Sequence, residues 1–343
     1  MDKLYAVRVG RFSRQFAGRT MAVAGVLMVI TLAVMLFSLT QGKVRISVAE
    51  VMQALFVASD SGIDFIVNQL RLARIVLAML VGGALAVSGL MLQSLVRNPL
   101  ASPDILGITS GASAAAVGFL SFFSTALSQH WMPLAAIGGA WLMALLITLL
   151  AWRQGASPIR LVLVGVGLSA LTGAATTMML VFSPLTTTLS AYVWLTGSVY
   201  GAQWQDVRSL AVWLAAILPF IVLLARHVNV HELDDDLALG VGLPVKAMRL
   251  ALLSVSVALA GAAIAYAGAM AFVGLVAPHI AKRLVGRSFP GLALVAALVG
   301  ANLVMLADLA GRTLFLPLDL PAGVFVSALG TPFFIYLLIR QCR

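Results

Sequence analysis

Residues 226–249 read RHVNVHELDDDLALGVGLPVKAMR. Glu232, Asp234, Asp235 and Asp236 in this stretch are four of the twelve acidic residues in the 343-residue chain. Long apolar runs flank it on both sides. The contrast decides the fold. A chain otherwise built for lipid keeps one charged, glycine-punctuated segment in water, and that segment reads as the place where a soluble partner grips the membrane-embedded part.

Outward from this loop, the chain is 62% hydrophobic and only 10% charged, with mean hydropathy +1.06. Soluble domains carry about a quarter charged residues. No soluble fold of this size hides so much apolar surface, so the solvent must be lipid. The net charge of +10 does not point to nucleic acid, because the basic residues stand singly or in pairs beside apolar runs and form no patch interleaved with aromatics. Cys342 is the only cysteine, so no internal disulfide is possible.

A helix needs about 20 apolar residues to cross the hydrocarbon. Nine segments qualify: 21–40, 72–93, 105–127, 132–152, 161–182, 207–225, 250–267, 290–310 and 322–339. The shorter run Ala269–Ile280, which precedes Lys282 and Arg283, reads as a short or broken span. That makes ten spans in a single transmembrane domain covering 1–343, six before the acidic loop and four after it. Lys3, Arg8, Arg11, Arg14 and Arg19 precede the first span, whose length exceeds a signal-peptide core. With the N-terminus inside and the spans alternating, sixteen of the 22 lysines and arginines fall inside, and Lys43, Arg45, Arg71, Arg74, Arg208 and Arg312 fall outside. The positive-inside bias therefore puts both termini and the acidic loop in the cytoplasm, and the topology hinges on the short span. Of the external segments, Gln41–Leu70 is amphipathic, with Val48, Val51, Met52 and Leu55 at helical spacing. It is expected to lie on the membrane surface. Ser183–Gln205 carries Pro184, a threonine run, Trp194 and Trp204, which suits the interface.

Small residues recur within the spans: Gly82, Gly83, Ser88 and Gly89 in the second, Gly107 and Gly111 in the third, Gly165 and Gly167 in the fifth. Close packing of small residues is what associates helices in lipid. GALAVSGLML (83–92) echoes GAMAFVGLVA (268–277), by descent from a repeat or by chance in a Gly/Ala-rich chain. No Walker sequence, metal-binding HExxH or nucleophile elbow is present, and the four histidines suggest no metal site. Asp308, with Arg312 four residues on, is the clearest charge within a span, and a structural pair is the leading reading. Ion-coupled transporters keep ionisable or broken-helix sites near the midplane; their scarcity here points to a separate ATPase as the energy source.

The run RLARIVLAMLVGGALAVSGLMLQSLVRNPLASPDILGITSGA (71–112) resembles the signature of the permease family that imports iron–siderophore complexes, haem and cobalamin, the membrane subunits of type II ABC importers. IRLVLVGVGLSAL (159–171), WLTGSVYGAQW (194–204), FVGLVAPHIAKRLVG (272–286), LADLAGR (306–312) and LPAGVFVSALGTPFFIYLL (320–338) extend the match over nearly everything after residue 70. The resemblance implies an all-α fold of ten helices per subunit, two subunits around one path, and cargo delivered by a periplasmic binding protein. It implies no catalytic site and no cofactor in this chain, ATP and Mg being used by a cytoplasmic ATPase dimer. The second permease subunit would be a copy or a relative, in a bacterial inner membrane. The coupling element falls on Asp236, Ala238, Gly240, Gly242, Leu243 and Pro244, where a small Ala allows close docking and Gly ends the helix. Leu239 stands where many relatives carry a basic residue. Binding-protein docking falls on Arg71, Arg74 and Arg312, whose guanidiniums suit carboxylates. An outer gate falls at the break of the fifth helix, at Ser183, Pro184, Thr186 and Thr187, where proline removes a donor and hydroxyls satisfy freed carbonyls. The expected cargo is an iron(III)–siderophore complex, with haem or cobalamin next. An ion-coupled secondary transporter and a membrane enzyme or scaffold are the alternatives from other classes.

Overall fold

The computed structural model describes residues 4–9, 12–57, 62–123, 126–151, 158–286 and 288–341. Lys3, Arg11, Arg153, Arg287, Cys342 and Arg343 of the sequence reading lie outside the described residues.

The chain opens with a feature that hydropathy did not announce. Strand β1 (Leu4–Val9) pairs antiparallel with β2 (Phe12–Ala17), Leu4 opposite Ala17 and Val9 opposite Phe12. Tyr, Val and Phe favour extended backbone there. Among the described residues, everything else ordered is helical: α1 (Gly18–Thr40), α2 (Val48–Phe56), α3 (Gly62–Asp64), α4 (Ala73–Val96), α5 (Ile108–Phe122), α6 (Met132–Ala151), α7 (Pro158–Phe182) and α8 (Leu185–Thr196). There follow α9 (Trp204–His231), α10 (Asp235–Gly240), α11 (Val245–Ala267), α12 (Val273–Leu284), α13 (Phe289–Thr313) and α14 (Ala322–Gln341). A π-helical stretch, Phe65–Leu72, runs straight into α4, and a short 3-10 turn, Gln129–Trp131, precedes α6.

Eight of these are long and apolar enough to cross a membrane. The remaining two predicted spans correspond to the shorter α5 and α12, so each of the ten predicted segments meets a helix. Boundaries moved where local bonds outweigh hydropathy. Segment 98–107 folds on itself (Leu106 N–H to Ser102 O and Ile108 N–H to Pro103 O), so α5 starts three residues later than predicted. The short span runs over Val273–Leu284 instead of Ala269–Ile280, because Gly268 and Phe272 both take positive φ, 69° and 66°, and the backbone between them is not helical. The Phe272 N–H is held by the Asp104 carboxylate at 3.1 Å.

Helix α4 is the hub. Nearly all of its residues are buried, and it packs against α13, α11, α12 and α9. Close approach is made by glycines. A Cβ on Gly82 would lie 2.2 Å from the Gly300 carbonyl oxygen, and one on Gly89 would lie 1.9 Å from that of Gly274. Gly89 and Gly274 are the matching glycines of the internal echo, so the two similar segments pack on each other. They differ in conformation: 83–92 is helical throughout, whereas 268–272 is not. Gly167, by contrast, faces open space. Where α4 meets α11, Ser88 and Ser256 exchange hydrogen bonds with each other's carbonyls at 2.8 and 3.0 Å. Helices α1, α7, α9 and α14 leave broad apolar faces exposed, such as Leu163, Val181, Leu218 and Leu329, which lipid or another subunit must cover.

Helix α2 begins with a capping box, Ser47 and Glu50 each holding the other's backbone N–H. Val51 is buried against the bundle while Val48 and Met52 stay exposed, in keeping with an amphipathic surface helix. Thr20 of α1 touches Gly291 of α13, the Phe289 N–H is held by Asn229 of α9, and Arg340 near the end of α14 bonds Tyr336. The starts of α1 and α13 thus share one end of the bundle with the end of α9.

Candidate functional sites at the two ends of the bundle

Helix α4 spans about 36 Å at 1.5 Å per residue. Each end anchors one site.

At its C-terminal end lies the acidic segment. It is mostly helix: α9 continues to His231, α10 occupies Asp235–Gly240, and α11 begins at Val245. Arg97, in the left-handed region at φ 53°, caps α4 and reaches across to donate to the His231 carbonyl and to Asp235 Oδ1 at 2.7 Å. Arg249 of α11 donates to both Asp235 oxygens at 2.9 and 2.8 Å. Ser94 donates to Glu232 at 2.9 Å. Burial alone would raise the Asp235 pKa. The hydrogen bonds and charges of Arg97 and Arg249 outweigh it and hold the group below its ordinary 3.8. Asp235 and Asp236 in the first turn also suit the positive end of α10.

Ala238 is wholly buried, which brings α10 close to the bundle, and its carbonyl accepts from the Leu243 N–H at 3.0 Å. Gly242 turns the chain at φ 88°, a conformation costing a side-chain-bearing residue about 1 kcal/mol or more. Leu243 packs inward. Asp236, Gly240 and Pro244 are exposed, as are the apolar side chains of Leu237, Leu239 and Val241. All six residues expected of the coupling element therefore fall on one short helix and its exit turn. The clamp that holds it, Arg97 and Arg249 on Asp235, was not read from the sequence.

At the other end of α4, Arg71, Arg74 and Arg312, the residues expected to dock a binding protein, lie around one cavity, but they do not stand free. All three are buried. Arg71 donates to the Leu39 and Val44 carbonyls. Arg312 donates to the Gln41 and Ser38 carbonyls and to the Ser38 hydroxyl. Arg74 grips Asp319 with two parallel bonds of 2.7 and 2.9 Å and Asp308 at 2.8 Å, with the Tyr200 ring 5.5 Å away. The expected Asp308–Arg312 pair is 3.7 Å apart, too long for a hydrogen bond; Arg74 is the main partner of Asp308. A cavity of about 860 Å³ opens over these groups, lined also by Lys43, Gln69 and Trp204.

The predicted gate residues sit at a real break. Helix α7 ends at Phe182 and α8 starts at Leu185. The Ser183 hydroxyl bonds the Met179 carbonyl and Ser121 of α5 at 2.7 and 2.8 Å, and Thr188 donates to the Leu180 carbonyl at 3.1 Å. Pro184 lies in this turn and Thr186 and Thr187 in the first turn of α8; Pro184 and Thr186 are exposed and Thr187 is half-buried. The sequence reading passed over Asp104. Its carboxylate accepts from Thr109 at 2.7 Å and lines a cavity of about 440 Å³ with Thr196 and Ser327. The only local signal was a carboxylate after Pro103 in an apolar context.

Residues 30–340 match the model of the FecCD transport family. The chain belongs to that family. It is 64% identical to the achromobactin transport system permease protein CbrC of Dickeya dadantii, over 99% of this chain and 98% of that one. It is 45% identical to the probable siderophore transport system permease protein YfhA of Bacillus subtilis, over 92% and 93%. The fold superposes on an inward-facing structure of a putative metal-chelate type ABC transporter with TM-score 0.83 and 26% identity, covering 93% of this chain and 99% of that one. The chain is thus a multi-pass membrane transport permease.

Proposed function

We propose that this chain is the membrane-spanning permease subunit of an ATP-binding-cassette importer that carries an iron(III)–siderophore complex inward across the bacterial inner membrane. The carrying observation is α10: one side locked to the bundle through Asp235 and Ala238, the other presenting Leu237, Leu239 and Val241 outside every spanning helix. Exposed apolar residues flanked by acids on a rigid mount are what a soluble partner's groove takes. That partner is a cytoplasmic ATPase dimer, which binds ATP and Mg while this chain binds no cofactor. Both termini lie on the ATPase side. A second permease subunit covers exposed apolar faces of the bundle, and a periplasmic binding protein docks over Arg71, Arg74 and Arg312. The outer gate lies at Ser183–Thr187. CbrC and YfhA, named for siderophore transport, support the cargo class.

The test is affinity purification of the tagged chain in mild detergent, with companions identified by mass spectrometry. A stoichiometric ATPase, lost on Gly242→Asp while the variant still inserts in the membrane, is expected. A chain that purifies alone and transports without ATP overturns the proposal.

A further inference from the structure

The cavity opposite α10 carries more positive charge than it neutralises. Lys43, Arg71, Arg74 and Arg312 line it, against two carboxylates, Asp308 and Asp319. Arg71 and Arg312 bond mainly to neutral carbonyls, which satisfy donors without cancelling charge. Such a pocket attracts a further anion.

The two carboxylates are not equivalent. The Asp308 side chain is 1% exposed, where the last turns of α13 meet the start of α4. The Asp319 side chain is 25% exposed, on the connection between α13 and α14, and lines the cavity wall. Its bidentate grip on Arg74 has the geometry that an incoming carboxylate would seek. If Asp319 leaves, Arg74 keeps Asp308 and is not orphaned.

We propose that Asp319 occupies, within the chain, the seat of a carboxylate side chain from the docking protein, and that docking exchanges one for the other on Arg74. The inference rests on the importer reading above. Its consequence lies in what Arg74 holds. Asp319 is three residues before α14, whose Gly323 N–H bonds the Gly197 carbonyl at 2.9 Å. Tyr200, against the same guanidinium, is on the segment that follows α8. One guanidinium therefore restrains the connections entering α14 and leaving α8. Exchange frees the connection entering α14 while Tyr200 stays against the guanidinium, so the partner's arrival is read by the helix beside the gate.

The experiment uses the whole complex, permease with ATPase and binding protein, in lipid nanodiscs. Binding-protein affinity, ATP hydrolysis and amide hydrogen exchange over 314–323 are measured for the unmodified chain and for Asp319→Asn. Removing the internal competitor is expected to tighten docking at least about fivefold, to raise hydrolysis without binding protein, and to leave 314–323 exchanging fast before docking. In the unmodified complex, docking itself speeds that exchange. Asp319→Glu, which keeps the carboxylate, falls back toward the unmodified chain. If docking and stimulation are normal in the unmodified complex but Asp319→Asn changes neither affinity nor exchange, the carboxylate exchange is overturned and the importer reading stands. If the unmodified chain forms no complex with an ATPase and binding protein, both are overturned.

Discussion

The two ends of α4 hold their neighbours with the same chemistry, arginine on aspartate, in opposite surroundings. At the Arg74 end the shared carboxylate, Asp308, is 1% exposed. At the Arg97 end the shared carboxylate, Asp235, is 42% exposed. A buried pair is not stabilising in proportion to its Coulomb energy, because both ions lost their water; but removing one partner leaves the other stranded. The Arg97–Asp235 pair is partly exposed and screened, and either of these two groups can return to water at small cost, whereas Arg249 is the one buried member of the clamp. The first end is therefore a brace that does not tolerate loss of Arg74, the guanidinium that the buried Asp308 leans on. The second is a clamp that sets the position of α10 without dominating stability.

The sharpest way to break this contrast is Arg74→Ala. It takes from the buried Asp308 its hydrogen-bonded partner, leaving only Arg312 at 3.7 Å, and is expected to cost about 3–5 kcal/mol, seen as a large drop in thermal midpoint in detergent. A loss below about 1 kcal/mol would show water reaching Asp308 and erase the distinction. Next comes Ala238→Leu, which leaves the clamp intact but overpacks its contact. About 1–3 kcal/mol is expected, with α10 displaced and ATPase binding weakened more than folding. Equal loss of both would mean that α10 belongs to the core. Asp235→Asn is smaller, about 0.5–1 kcal/mol in the thermal midpoint, because Arg97 keeps the His231 carbonyl and the amide oxygen of Asn can still accept from the buried Arg249. Its main effect is expected in a spin label at position 239, whose spectrum becomes more mobile. The smallest effect is that of pH. Arg97 and Arg249 lower the Asp235 pKa, so its contribution is complete above the unfolded carboxylate pKa and is lost only as pH falls through the folded value, below 3.8. The same label should report no change between pH 8 and pH 5. Loosening within that window would show that the clamp does not rest on Asp235.

The exposed residues of α10 were legible because their signal is local: acids, a small Ala and two glycines in an otherwise apolar chain. Arg71, Arg74 and Arg312 were legible as residue types but not as an environment. Arg74 meets Asp308 across 234 residues and Asp319 across 245, and Arg97 meets Asp235 across 138. No periodicity or spacing links such positions. The predicted Asp308–Arg312 pair shows the limit, since i, i+4 geometry placed the right groups near each other but did not decide which guanidinium the carboxylate takes.

The sequence by itself determined that this chain is built for lipid, that it holds ten apolar segments, to within a few residues, and which stretch between them is charged. Each of those follows from transfer free energy summed over about 20 consecutive residues, a quantity that composition alone carries. Only the tertiary structure decided that segment 98–107 folds on itself, that α12 starts at a left-handed Phe272 held by Asp104, and that three arginines end buried around two aspartates. Those outcomes depend on which helices cross at which glycines, as at Gly82–Gly300 and Gly89–Gly274. Burial of polar groups is a property of the assembled bundle, where each donor must find its acceptor among whatever the crossings bring near.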